Sequence, residues 1–140
     1  RETTAKVVDL MYVPMIQGTQ RYAYKVQNLS GGEKEKAEGA VFAAAVLPRV
    51  FAEDEAAAQT IYDSMKVGAS ATDHKKVKKA FESVYSALGI KCSDVGGLMD
   101  DGTSDYYKGA EPCSDGVSGG GVAGIIIGSV AGGVALVSVG

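Results

Sequence analysis

The sequence predicts an all-α fold, a small antiparallel helical array with a disulfide-pinned C-terminal loop, followed by a transmembrane helix. Three observations carry that prediction. Apolar residues recur at three- and four-residue spacing from Leu10 to Leu88, two cysteines bracket an aperiodic acidic stretch, and the last 24 residues carry no charge in a chain with 14 basic and 17 acidic side chains. The boundaries follow: a helical ectodomain at 1–91, a disulfide-closed acidic loop at 92–113, a Gly/Ser stalk at 114–121 and the span at 122–140.

The first helix is expected over "DLMYVPMIQGTQRYAYKVQ", with Leu10, Val13, Ile16, Ala23 and Val26 on its apolar side. Pro14 and Gly18 interrupt it, and a β reading of the tyrosine-rich second half is the alternative. Ser30 and two glycines then break the chain, and Glu33 and Glu35 suit the start of an alanine-rich second helix that Pro48 should end or kink. A third helix places Ala57, Ile61 and Met65 on one stripe and stops near Gly68. The fourth is capped by Thr72 or Asp73, turns Val77, Phe81, Val84, Tyr85 and Leu88 inward, and closes at Gly89.

Cys92 and Cys113 enclose 20 residues rich in Gly, Asp and Ser, with no histidine nearby to suggest zinc, and a disulfide between them is expected. Closing a loop of that size is worth ~3 kcal/mol in the chain-entropy model. Asp100, Asp101 and Asp105 have the chemistry of calcium ligands, but they lack the glycine position and terminal glutamate of an EF-hand loop; a solvated acidic turn is the competing reading. "NLS" satisfies the N-x-[ST] rule and makes Asn28 a candidate glycosylation acceptor, though such triplets are frequent by chance.

From Val122 onward, 19 uncharged residues match the number needed to cross a ~30 Å hydrocarbon core. Gly124, Gly128 and Gly132 fall on one stripe where two backbones can approach, a route to a homo-oligomer. The start at Arg1 without a basic-then-apolar leader, and the stop at Gly140 before a basic flank, are read as a chain continued at both ends. Span, cysteine pair and sequon together predict an ectodomain on the extracytoplasmic side of the plasma membrane.

The net charge of −3 argues against a nucleic-acid partner. Catalysis is not expected: His74, the single histidine, lies in "DHKKVKK", read as a solvated first turn, and no phosphate loop follows a strand.

"IQGTQRYAYKV", "GEKEKAEGAVFAAAVLPRV", "AAAQTIYDSM", "VKKAFESVYSALGIKCSDVGGLMD" and "YYKGAEPC", in that order, resemble the last repeat of the algal low-iron-inducible periplasmic family, which includes phytotransferrins and other iron-starvation-induced surface proteins. The resemblance runs from Val13 to Cys113. It implies a helical domain, usually present in more than one copy, that takes part in ferric iron acquisition at the cell surface. In the phytotransferrin branch capture is linked to carbonate and followed by endocytosis into vesicles.

The resemblance brings no ligand motif, so candidate ligands come from the residues themselves. Ferric iron is a hard cation suited by phenolate and carboxylate oxygens, and a carbonate beside it needs a cation. Gln17, Arg21 and Tyr24 share one helix face, with Gln20 at its edge, and Glu38 is expected opposite them, just before Gly39, where a missing side chain permits close approach. Tyr24 and Glu38 are therefore the expected metal ligands and Arg21 the anion partner; the competing reading is a tyrosine hydrogen-bonded at a helix interface and an ordinary Arg21–Glu38 salt bridge. Arg49, Glu53 and Asp54 form a second, weaker cluster. Two functions remain: a membrane-anchored protein for ferric iron binding and uptake, and a structural or adhesive ectodomain.

Overall fold

The structure, a computed structural model, describes residues 2–114. These form six helices, α1 (Glu2–Met11), α2 (Val13–Asn28), α3 (Glu33–Glu53), α4 (Glu55–Met65), α5 (His74–Val84) and the short α6 (Cys92–Val95). The all-α expectation and the Cys92–Cys113 disulfide both hold. The expected span at 122–140, with Gly124, Gly128 and Gly132, and most of the stalk lie outside the described residues. No helix among the described residues is long and apolar enough to cross a membrane.

The first expected helix is two helices. Pro14 occupies the first turn of α2, where a missing N–H leaves no bond unmade, so it starts a helix instead of interrupting one. Helix α2 then runs through Gly18 to Asn28, against the β alternative. A Cβ on Gly18 would stand 2.5 Å from the Phe42 ring, so the bare backbone is what lets α3 lie close. Contacts of Gly18 with Phe42 and of Tyr22 with Gly39 run in opposite sequence directions, which makes α2 and α3 antiparallel. Gln20 with Tyr85 and Gln27 with His74 do the same for α2 and α5.

Pro48 does not end α3, which continues to Glu53. Pro48 and Ala44 both lie on the exposed face, so the Ala44 carbonyl deprived of its helical donor is reachable by water. The break comes at Asp54, whose extended backbone (φ −154°) leaves α3 and whose carboxylate accepts from Ala57 N at 3.0 Å to cap α4. Asp73 caps α5 in the same way. Regular helix in α5 stops at Val84, short of the expected Gly89, and Gly89 (φ +72°) closes the turns that follow.

One core joins these elements. Ile16 from α2, Val46 and Val50 from α3, Ile61 from α4, and Val77, Phe81 and Leu88 from α5 and its following turn are fully buried. Helix α1 contributes no buried residue; Lys6 ties it down by donating to the Gly89 carbonyl at 3.0 Å. Beyond α6 the acidic loop is a small hairpin: Leu98 N donates to Ala110 O, Tyr107 N to Leu98 O, and Asp100 N to Asp105 O. Asp100 also closes its tip, the carboxylate accepting from Gly102 N at 2.9 Å.

Candidate functional site

Helix α2 distributes its side chains to three neighbours. Gly18 and Tyr22 face α3, Gln20 and Tyr24 face α5, and Gln17 reaches the end of α6, donating to the Val95 carbonyl at 2.7 Å. The buried Gln20 donates to the Tyr85 hydroxyl at 2.8 Å. Between α2 and the loop that the disulfide holds in place lies a cleft of about 540 Å³. The disulfide, with Cα atoms 5.3 Å apart, fixes both ends of the loop that forms its far wall.

Arg21 and Tyr24 line this cleft together with Gln17 and Gln20, as their helical spacing predicts. Glu38 does not. Its carboxylate lies by the Tyr22 hydroxyl instead and pushes that phenol's pKa up, with burial adding to the effect. Tyr22 and Tyr24 are about 200° apart around the helix, and Glu38 on α3 lies at the Tyr22 side. Gly39 does permit the expected close approach, but to the Cβ of Tyr22 and the methyl of Met65.

Tyr24 meets residues that sequence reasoning assigned elsewhere. Its ring stacks on Tyr107 from the hairpin at 4.8 Å between centroids, and meets the His74 ring in a T-shaped contact at 5.0 Å. Tyr107, Lys25 and Asp101 line the same cleft. Burial, then the negative charges of Asp100 and Asp101, raise the pKa of Tyr107. Lys25 was legible as the residue four beyond Arg21, whereas Tyr107 stands in a segment without periodicity.

His74 corrects the expectation of a solvated side chain. It is 2% exposed, and its Nε2 has no hydrogen-bond partner among the described residues. Burial, with the nearby Lys78 charge, lowers its pKa to about 4. Its backbone N–H donates to the Gln27 side chain at 2.8 Å, tying α5 to the last turn of α2.

No family model, curated protein or solved structure matches the chain.

The remaining candidates are placed simply. Asn28 is exposed at the end of α2, its amide donating to Tyr24 O at 3.2 Å. Arg49 pairs with Glu53 one turn later on α3, and Asp54 is the α4 cap, so that cluster has structural employment. No group of three or more His, Cys, Asp or Glu side chains suited to a metal ion occurs among the described residues, and a metal in the cleft would depend on phenol oxygens as well.

Proposed function

We propose that the chain belongs to a membrane-anchored cell-surface protein that binds ferric iron with carbonate as co-bound anion and takes part in its uptake. The observation that carries this reading is a cation, Arg21, in one cleft with two tyrosines, Tyr24 and Tyr107, and a carboxylate, Asp101. Hard oxygen donors suit the ferric ion, and a guanidinium fork suits a carbonate. Tyr107 and Asp101 take the place that the sequence assigned to Glu38. The disulfide accords with an oxidising, extracytoplasmic setting, and the resemblance to low-iron-inducible surface proteins points the same way.

The test is a ferric iron titration of the oxidised chain with and without bicarbonate, following the tyrosinate-to-iron charge-transfer band. A band that needs bicarbonate and is lost in Tyr24→Phe and Tyr107→Phe is expected. Its absence under both conditions, with a helical spectrum intact, removes the reading.

A structural or adhesive role is favoured by a different observation. Leu47, Pro48, Phe51 and Tyr62 line an apolar groove of about 400 Å³ between α3 and α4, with Phe51 56% and Tyr62 48% exposed. Under that role, Phe51→Ser impairs cell-surface association while iron and bicarbonate leave the chain unchanged.

A further inference from the structure

We infer that the cleft between α2 and the disulfide loop is a binding site for a small planar organic acid, an aromatic ring bearing a carboxylate. The inference shares its cleft with the iron reading but rests on volume, charge and wall chemistry and needs no metal.

Volume comes first. A ferric ion with carbonate needs on the order of 100 Å³, taking ~30 Å³ for each water-sized group. The cleft has about 540 Å³, within the roughly 300–1,000 Å³ of sites that enclose small organic molecules. Space on this scale suits a ring.

Charge selects the ligand's sign. Arg21 and Lys25 lie four residues apart on α2 and both line the cleft. Neither enters an ion pair among the described residues. Lys25 is held over the Tyr22 ring, 5.7 Å from its centroid. Asp101 on the hairpin is the acidic residue among the lining side chains, so the α2 side of the cleft is left with two cations for an incoming carboxylate. A guanidinium binds a carboxylate through two parallel hydrogen bonds, giving orientation as well as strength.

The walls select a flat body. The Tyr24–Tyr107 stack forms one aromatic surface, and the Tyr22–Phe42 stack, with centroids 5.7 Å apart, forms another. Leu98 and Met99 add apolar area from the hairpin. These walls are set before any ligand arrives: Gln17 is bonded to Val95, Gln20 to Tyr85, and the loop is closed by the disulfide. Little ordering is left for the ligand to impose.

The experiment is calorimetric titration of the oxidised, metal-free 140-residue chain with salicylate, using acetate as a carboxylate without a ring. Salicylate should bind at least about tenfold more tightly than acetate. Arg21→Gln should weaken salicylate about tenfold or more, with partial recovery in Arg21→Lys. Arg21 is exposed, so its replacement leaves the core intact. Tyr107→Leu, checked for an unchanged helical spectrum, should weaken salicylate and leave acetate unaffected. Equal affinity for the two acids, or unchanged salicylate binding in Arg21→Gln, overturns the inference. Salicylate binding without an iron band keeps this site and removes the iron reading; an iron band without salicylate binding does the reverse.

Discussion

The imidazole of His74 and the ring of Tyr24 meet in a T-shaped contact, with centroids 5.0 Å apart and planes at 89°. A neutral histidine is at home there; a protonated one must carry charge where burial and Lys78 oppose it. Because the folded pKa is about 4 against an ordinary 6.5, stability is whole above pH 6.5 and declines as pH falls through that window. The full loss is about 3 kcal/mol. Urea unfolding between pH 7 and pH 4 should show this slope, and His74→Leu should flatten it. An unchanged slope in the variant would place the acid sensitivity elsewhere.

Cys92→Ser with Cys113→Ser should cost ~3 kcal/mol and lower Tm by roughly 10–20 °C in a domain of this size. The far wall of the cleft loses its clamp in the same variant, so salicylate affinity should fall even at temperatures where the helices persist. Circular dichroism and calorimetry on one sample separate the two effects.

Gly39→Ala sets helix propensity against space. Alanine gains up to about 1 kcal/mol as a helix former, but its Cβ would stand 2.6 Å from the Met65 methyl and 2.9 Å from Tyr22 Cβ. The methyl can swing away; a Cβ fixed to the α2 backbone cannot. Separating α2 from α3 should cost more than the propensity gain, for a net loss of about 1–2 kcal/mol in the urea midpoint.

Helix α1 should behave as the least stable element. Without a buried residue, and held mainly by Lys6 to Gly89 O and to Asp94, its amides should exchange fastest among the helices. Lys6→Ala should accelerate that exchange while shifting global stability by less than about 1 kcal/mol.

Much of the fold is legible because the apolar stripes are clean. Val77, Phe81, Val84, Tyr85 and Leu88 are buried as their spacing predicts, and Ala57, Ile61 and Met65 likewise. His74 belonged to the first stripe, three residues before Val77, but the surrounding lysines disguised it. Pro48 misled in the other direction, since whether a helix survives proline depends on solvent access to one carbonyl. In the site, helical spacing grouped Arg21 with Tyr24. It left open which neighbour that face meets, a choice made by Gly18 and Tyr22 when they dock on α3. The hairpin, held by the disulfide and by its own backbone bonds, carried no pattern from which Tyr107 was readable.

Helix α2 serves the core, the α5 junction and the cleft with side chains only a few residues apart. Mutational drift on this helix is therefore constrained: at Gln20 or Tyr24, a change that alters ligand preference also disturbs packing against α5. The hairpin carries lighter obligations, with Met99 53% exposed and Asp101 exposed. Diversification of specificity should accumulate there first, with α2 holding the cationic half of the site while the opposite wall explores new shapes.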